Sequence, residues 1–497
     1  MGIIIKQTIK GSIWSYLGVL LGFVTTTYLY TQYLTPEVVG LFSVLVSIAT
    51  LAYSFTSLGM NGVAGRLFPY FRSKSNGHNG FLFISLLVQA VGFLAFLALY
   101  YIFKEQLIAS NIDKSPLLAD YIYLILPLTF FLMIFNFFDS YNKLLYDAVL
   151  GTFLQEFLQR VFIFGVIILY VFKLISLDLL IISYVVAFSL KAIVIVVYLF
   201  FRGEINLKPA LHFITKPLRK EMIDVAFFYI IGGLGSLVVF NIDKIVINQL
   251  LDLHNTGVYT IAFYFGTLVV IPSRPLLKIA GTLIAEAWSK NDVEHIKTIY
   301  YKSCINQFVI GGFLFLGIWA NIDNILTVLG NEYLQSKWVI FFIGIGYLFD
   351  MLTGVNGTVI AFSKNYRKNF EFILILVGVS VSLLYLLIPK WGIVGAAIAI
   401  AIALFLNNLM RFFYLKRKYQ MQPFNLKFVW IGIFYTTLYF SIDLIPQQKL
   451  IIDLILRGSI ILFASAIFFY FVPISDDLSL IKMKLVYFFK TWINDKF

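Results

Sequence analysis

Residues 177–201 read LDLLIISYVVAFSLKAIVIVVYLFF, and only Asp178 and Lys191 carry a charge in this stretch. An α-helix rises about 1.5 Å per residue, so a helix of this length crosses the roughly 30 Å hydrocarbon core of a bilayer. Apolar blocks of similar length recur along the chain, separated by short polar segments. The sequence therefore predicts an all-α polytopic membrane protein.

The overall composition supports the same fold class. Of the 497 residues, 60% are hydrophobic and 13% are charged, and the mean hydropathy is +0.90. A soluble domain of this size needs more charge to cover its surface. The net charge of +13 does not predict a nucleic-acid partner, because basic residues in membrane proteins mark cytoplasmic loops.

Motifs for soluble chemistry are missing from the sequence. The single cysteine, Cys304, excludes an internal disulfide, and the four histidines have no metal-ligand spacing. The sequence contains no phosphate-binding loop, no serine-nucleophile motif and no zinc motif. We therefore expect no cofactor, no metal and no enzymatic activity.

The apolar blocks predict about fourteen transmembrane helices. Basic residues concentrate in alternate loops, which predicts that both termini are cytoplasmic and that the protein lies in the bacterial inner membrane. The predicted helices cover 9–33, 37–62, 80–103, 119–139, 152–172, 177–201, 221–249, 257–285, 300–320, 335–362, 369–388, 392–415, 426–445 and 450–472.

A weak internal repeat relates two parts of the chain. Gly40 and Gly257 each open a predicted helix, and 257 − 40 = 217; the same offset pairs Gln32 with Gln249. Apolar helices resemble one another by chance, but an ungapped register across two distant loops favours a true repeat. Because each repeat would contain six membrane-spanning helices, an even number, both repeats would begin on the same side of the membrane. This arrangement predicts two six-helix lobes in a parallel repeat, with a binding site between them.

These patterns predict a division of the chain into five parts. An N-terminal lobe covers 1–203, a cytoplasmic linker covers 204–220 and a C-terminal lobe covers 221–425. Two extra helices occupy 426–472, and an amphipathic cytoplasmic tail follows at 473–497. The tail has five apolar residues at helical spacing: Leu478, Ile481, Leu485, Phe488 and Trp492.

Three stretches of the sequence resemble a known superfamily. They are YLTPEVVGLFSVLVSIATLAYSFTSLGMNGVAGRLFPYF (33–71), NIDKIVINQLLDLHNTGVYTIAFYF (241–265) and LIPKWGIVGAAIAIAIALFLNNLMRFFYLKRKYQMQPF (387–424). Together with the topology, they resemble the multidrug/oligosaccharidyl-lipid/polysaccharide (MOP) exporter superfamily, to which the MATE transporters belong. Within it, the chain is most similar to the polysaccharide biosynthesis family of O-antigen-type flippases for lipid-linked oligosaccharides. Fourteen helices depart from the twelve common among O-antigen flippases and match the lipid II flippases.

The resemblance implies a flippase that uses alternating access. It would move a polyprenyl-pyrophosphate-linked oligosaccharide from the cytoplasmic to the periplasmic leaflet, for lipopolysaccharide or another surface polysaccharide. Its partners would be this glycan, the bilayer, and a glycan polymerase with its assembly machinery. The alternatives are a lipid II flippase and a MATE-type cation-coupled drug antiporter. The antiporter is disfavoured because residues 9–33 lack the acidic residue that such exporters often carry on their first helix. By resemblance to lipid II flippases, residues 426–472 would form a groove for the lipid tail; simple packing is the alternative.

Basic side chains inside the predicted helices indicate where an anionic substrate would bind, since an unpaired charge in hydrocarbon is costly. Lys191 has no acidic residue within a helical turn, whereas Arg160 follows Glu156 by one turn, so an intrahelical ion pair is the alternative there. Two prolines flank Arg274 and predict a broken helix, which is typical of transport sites. For Arg66, snorkelling at the interface is the alternative. The predicted substrate-binding residues are Arg66, Arg160, Lys191, Arg274 and Lys278.

Acidic residues within the helices are candidates for ion coupling, and we predict this role for Glu156, Asp243 and Asp350. Asp243 is adjacent to Lys244, so the two predict either a local ion pair or an outer gate. Asp350 has no basic neighbour in the sequence. It would either bind a coupling cation or, when protonated, hydrogen-bond within the helix bundle.

Overall fold

The computed structural model describes residues 3–472 and 474. These residues form α-helices with short 3₁₀ and π segments, and no strand occurs among them. The predicted all-α class is therefore confirmed. The predicted amphipathic tail, 473–497 with Leu478 to Trp492, lies outside the described residues, apart from Ile474.

The chain divides into two compact units, Met1–Ile261 and Ala262–Phe497, and the predicted lobe boundaries at 203 and 221 stay predictions. The helices that begin in the first unit are α1 (Ile3–Val24), α2 (Tyr30–Tyr33), α3 (Pro36–Thr56), α4 (Met60–Phe71), α5 (Phe81–Asn111), α6 (Pro116–Tyr121), α7 (Ile125–Leu144), α8 (Val149–Thr152), α9 (Gln159–Val171), α10 (Leu177–Phe201), α11 (Lys216–Leu250) and α12 (Leu253–Thr267). Those of the second unit are α13 (Ser273–Ser289), α14 (Val293–Trp319), α15 (Ile322–Leu329), α16 (Lys337–Leu352), α17 (Asn356–Phe362), α18 (Arg367–Tyr419), α19 (Leu426–Asp443) and α20 (Leu450–Phe471).

Short irregular helical segments join several of these helices. The π segments are Thr25–Leu29, between α1 and α2, and Phe153–Leu158, between α8 and α9. The 3₁₀ segments are Gly77–Gly80, Ile122–Leu124, Leu211–Phe213, Leu268–Val270 and Asn331–Ser336.

Many helices are long and apolar enough to cross a membrane. Within the described chain there are nine such helices, or up to eleven if each of two bent pairs forms one span. Large apolar side chains cover the outside of the helices; Phe201, for example, is 84% exposed and Phe471 is 75% exposed. Such surfaces are stable against lipid rather than water. Each predicted segment is helical over most of its length, while the count of about fourteen spans stays a prediction.

In the first unit, α3, α7, α10 and α11 pack together. The first unit contains an apolar core in which four large side chains are fully buried: Phe68, Phe137, Tyr141 and Leu154. Aromatic rings fill much of this core, and Phe68 lies edge-on to Tyr141 with ring centroids 5.5 Å apart. Large rings give the packed helices contact area without polar groups that would need partners.

The offset of the sequence repeat reappears as a physical contact between α3 and α12. These helices begin at Pro36 and Leu253, and 253 − 36 = 217. A Cβ atom added at Gly40 would overlap the carbonyl oxygen of Leu253, and one added at Gly257 would overlap that of Pro36. Each glycine therefore lets its helix approach the first turn of the other, and the contact is self-complementary, as expected around a two-fold axis.

Polar pairs continue the same contact with the same offset. Glu37 Oε1 lies 2.8 Å from His254 Nδ1, and these residues are 217 positions apart. Thr260 Oγ1 donates a hydrogen bond of 2.9 Å to Ser43 Oγ, again across 217 positions. Equivalent residues of two repeats meet in this way only close to the axis that relates them, so the contact favours a true repeat.

In the second unit, α14 contacts α16, α19 and α20, and α16 packs along α18. The α18 segment contains both helices predicted at 369–388 and 392–415. Its backbone leaves the helical region at Trp391 and at Gly392, whose φ of +55° favours glycine. The break lies where the sequence predicted the helix boundary.

The extra helices α19 and α20 pack against α14. Tyr435 Oη donates a hydrogen bond of 2.7 Å to the carbonyl oxygen of Val309, and its ring lies against Gly312, where a Cβ would approach it within 2.5 Å. The lipid-tail groove for this pair stays a prediction.

Candidate substrate and ion-coupling sites

Arg160 lies at the start of α9, directly after the π segment Phe153–Leu158. Its Nη2 donates to Glu156 Oε2 at 3.2 Å, and its Nη1 donates to the carbonyl oxygen of Gly18 at 2.6 Å. The ion pair within the helix, one of the two predicted alternatives, is therefore present. The guanidinium group also binds the backbone of α1.

Two glycines bring α1 close enough for this contact. A Cβ at Gly18 would overlap the backbone oxygen of Glu156, and a Cβ at Gly22 would lie 2.6 Å from Arg160 Nη1. Any larger residue would push α1 away from the charged pair.

Lys191 is buried in the middle of α10, with 4% of its surface exposed. Its Nζ donates to Gln159 Oε1 at 2.8 Å and lies 4.6 Å and 4.7 Å from the ring centroids of Phe135 and Phe188. These direct contacts are neutral, and cation–π attraction replaces part of the lost hydration. The carboxylates of Glu156 and Asp139 are close enough for their charges to act on the ammonium group. Because Gln159 immediately precedes Arg160, the two predicted cations share one neighbourhood.

Arg66 lies elsewhere in the first unit, on α4. Its side chain is 68% exposed, and its Nη2 is 3.9 Å from Glu221 Oε1 on α11. Exposed ion pairs of this kind contribute little to stability, so Arg66 remains available to an approaching anion.

Asp243 and Lys244 form the predicted local ion pair near the end of α11. Lys244 Nζ donates to Asp243 Oδ1 at 3.2 Å, and Tyr259 Oη of α12 donates to Asp243 Oδ2 at 2.7 Å. The Asp243 side chain is fully buried. The hydrogen bond from Tyr259 to Asp243 therefore connects α12 to α11. Tyr259 lies two residues after Gly257, where α12 contacts α3.

Arg274 and Lys278 lie on α13 of the second unit, and both are exposed. The chain bends by 46° between Val270 and Ser273, which confirms the broken helix predicted from the two prolines. Neither side chain forms an ion pair within the described part of the chain. Lys278 borders an open pocket of about 460 Å³, together with Leu277, Gly281, Thr282, Ala285, Thr358 and Phe362.

Asp350 has a polar environment that comes from other helices. Asn408 Nδ2 donates to Asp350 Oδ1 at 2.8 Å, and Asn356 Nδ2 donates to Asn408 Oδ1 at 2.9 Å. Arg411 is close enough to Asp350 for their charges to interact. The Arg411 Nε is buried, and it has no hydrogen-bond partner among the described residues.

Arg411 and Asn408 were not predicted as site residues. Asn407 and Asn408 precede Arg411 on α18 by four and three positions, so both lie on the helical face of Arg411. A polar face with an arginine inside an apolar helix is the signal that would have indicated them.

The structure thus brings together Arg160, Glu156 and Lys191 in the first unit, and joins Asp350 to Arg411 in the second. Arg66 and Asp243 have separate partners. The predicted cavity that combines Arg160 and Lys191 with Arg274 and Lys278 stays a prediction.

The fold is similar to the folds of two solved membrane proteins. The chain superposes on the lipid II flippase MurJ in an inward closed conformation with a TM-score of 0.72 at 16% identity, covering 93% of this chain and 99% of that one. It superposes on an inward-facing MATE multidrug transporter with a TM-score of 0.60 at 13% identity, covering 87% and 98%. At these identities the likeness concerns the fold.

The sequence profile of the polysaccharide biosynthesis proteins matches residues 4–284, more than half of the chain. The chain therefore belongs to the polysaccharide biosynthesis protein family, which confirms the predicted family.

Two proteins are similar to the chain in sequence. The capsular polysaccharide biosynthesis protein CapF of Staphylococcus aureus is 24% identical over 209 residues, which cover 39% of this chain and about half (48%) of that protein. The uncharacterized membrane protein MJ1068 of Methanocaldococcus jannaschii is 21% identical over 487 residues, which cover 91% of this chain and 92% of that one.

Proposed function

We propose that this protein is a flippase for a polyprenyl-pyrophosphate-linked oligosaccharide. It moves the substrate from the cytoplasmic to the periplasmic leaflet of the inner membrane by alternating access between two six-helix lobes. The glycan then enters O-antigen or another surface polysaccharide. A glycan polymerase and its assembly machinery take up the product.

The observation that carries the proposal is the buried Lys191 beside the Arg160–Glu156 pair. Glu156 and Asp139 are close enough for their charges to act on Lys191, but among the described residues neither forms a direct ion pair with it. A buried cation without a direct ion pair is costly in an apolar helix, and binding of an anion lowers that cost. A pyrophosphate headgroup is such an anion, and the planar guanidinium of Arg160 can bind its oxygens in a bidentate fashion.

The Arg160–Glu156 pair suggests how binding avoids becoming too tight. A phosphate that reaches Arg160 exchanges one anionic partner of the guanidinium for another, so the net gain is smaller than for a free arginine. Moderate affinity allows release on the other side of the membrane. The displaced Glu156 carboxylate would then be free to accept a proton.

Two other functions are the alternatives to this proposal. The likeness to MurJ, at a TM-score of 0.72, favours a lipid II flippase as the second candidate. A cation-coupled drug antiporter requires buried acids that attract a cation, and residues 9–33 contain none. The predicted binding residues are instead basic, which suits an anionic headgroup.

Deletion of the gene tests the proposal in cells. We expect the deletion to reduce surface polysaccharide and to cause lipid-linked oligosaccharide to accumulate inside, with both defects restored by the intact gene. Glycan labelling at the cell surface and extraction of the lipid-linked pool measure the two effects. Unchanged surface glycan, together with raised resistance to several cationic drugs on overexpression, would replace the flippase with the antiporter.

For ion coupling we propose Glu156 or Asp350, with Asp243 as a weaker candidate because its carboxylate is already bound to Lys244 and Tyr259. Glu156→Gln and Asp350→Asn each remove one titrating carboxylate with little change in shape. We expect one of them to abolish the pH dependence of transport in reconstituted vesicles. If both retain the wild-type dependence, neither residue couples a proton.

A further inference from the structure

A polar pocket lies in the second unit, and none of the predicted substrate-binding residues lines it. The helices α14, α15, α19 and α20 and the loop after α19 enclose a volume of about 280 Å³. Two loops line the pocket, one after α14 and one after α19. The distribution of basic residues along the sequence predicts that both loops lie on the outer side of the membrane. Small-molecule pockets begin at about 300 Å³, so this volume is at the lower end of that range and suits a ligand of about one sugar ring.

The floor of this pocket is a rigid ion pair. Arg457 Nε donates to Asp453 Oδ2 at 2.8 Å, and the two side chains are 8% and 1% exposed. Arg457 Nη2 also donates to the carbonyl oxygen of Ile445 at 3.0 Å, and Asn324 Nδ2 donates to Asp453 Oδ2 at 2.7 Å. The guanidinium donors are therefore occupied by a carboxylate and by backbone at the end of a helix. This leaves the group poorly placed to bind a phosphate.

The wall of the pocket holds the other cation in the same way. Lys337 Nζ donates to Asp323 Oδ1 at 2.8 Å. Both cations of the lining are thus neutralised by carboxylates, and a third carboxylate, Asp443, stands at the exposed rim with Gln447. The pocket consequently has no excess of positive charge, which excludes the chemistry expected of a pyrophosphate site.

The lining groups match a different ligand class. Trp319 and Tyr439 line the pocket with aromatic rings, and the Trp319 ring also packs against Phe341 and Trp338, with centroids 4.7 Å and 5.7 Å away. Asp443 and Gln447 offer hydrogen-bond acceptors and an amide donor. A sugar ring has hydroxyl groups that donate to carboxylates and accept from amides, and an apolar C–H face that packs on an indole. Few other solutes present both features within one ring.

We infer that this pocket is a saccharide-binding site that takes one sugar residue of the glycan carried by the lipid. The inference deepens the proposed function and rests on it for the identity of the glycan. The pocket holds the neutral sugar portion of the substrate. Binding of a free sugar requires only the pocket and no transport.

Saturation-transfer NMR on the full-length protein in nanodiscs tests the site; sugar-based detergents must be avoided because their headgroups would compete. The probes are N-acetylglucosamine and maltose, with inorganic phosphate as the anionic comparison. We expect saccharide binding with a dissociation constant on the order of 1 mM, weakened about tenfold or more by Asp443→Ala combined with Gln447→Ala. Both residues lie at the exposed rim, so folding is retained. Trp319→Phe should also weaken binding, whereas Trp430→Phe, which changes an exposed indole outside the lining, should not.

Absence of saccharide binding, binding that the rim variants leave unchanged, or binding of phosphate in place of sugar would each overturn the inference. The outcome is separable from that of the proposed function. Flipping without sugar binding would contradict the saccharide site and leave the proposed function intact. Sugar binding without flipping would contradict the proposed function and leave the saccharide site intact.

Discussion

Lys191 holds its ammonium group between two phenyl rings and one amide oxygen. If a substrate phosphate binds this ammonium group directly, removing the cation will slow transport. We predict that Lys191→Met, which keeps the volume and removes the charge, lowers flipping in reconstituted vesicles about tenfold or more, equivalent to roughly 1.4 kcal/mol. Arg160→Ala should have an effect at least as large.

The matched control is Lys208→Ala, which removes an exposed lysine outside the helices. It should transport at the wild-type rate. Normal transport by both Lys191→Met and Arg160→Ala, at normal expression and thermal stability, would show that the substrate does not pass this site.

At the residue scale, the sequence revealed charges but not their partners. Lys191 and Arg160 were predicted because an ionisable group in an apolar helix stands out. Gln159 and Arg411 were not, because their role depends on how different helices pack. Gly18 shows the same limit, since nothing in its own helix indicates that the backbone of another helix lies against it.

The crossing of α3 and α12 yields a prediction at the scale of elements. Alternating access requires the helix ends that close one side to separate, and Ser43 Oγ lies 2.9 Å from Thr260 Oγ1. In a background with Cys304 replaced by serine, Ser43→Cys combined with Thr260→Cys should form a disulfide on oxidation. We expect flipping to stop and to return on reduction.

Each single cysteine variant is the control and should be insensitive to oxidant. A disulfide that forms fully yet leaves the transport rate unchanged would show that α3 and α12 do not separate during the cycle.

Helix positions were largely predictable because an apolar block must be helical in lipid to satisfy its backbone. The bend before Ser273 was also predictable, since prolines remove backbone hydrogen bonds. The π segments Thr25–Leu29 and Phe153–Leu158 were not, because no residue type specifies an added residue in a helical turn. The second of these immediately precedes the residues that bind Lys191 and the backbone of α1.

At the scale of the whole molecule, the family and fold followed from three sequence stretches and the topology. The boundary between compact units at Ile261 did not, because it depends on which helices pack together rather than on composition. The 217-residue offset connects the sequence with the structure. It is visible in the sequence repeat, and it reappears in the contacts of Glu37 with His254 and of Ser43 with Thr260.

The most direct test of the central claim is flipping by the purified protein. The measurement follows a labelled polyprenyl-pyrophosphate oligosaccharide in sealed vesicles through its cleavage by an externally added glycosidase. We predict that the protein makes the substrate of the inner leaflet cleavable, whereas protein-free vesicles protect it. Substrate that stays protected in vesicles containing folded protein, across pH gradients and membrane potentials of both signs, would contradict the account.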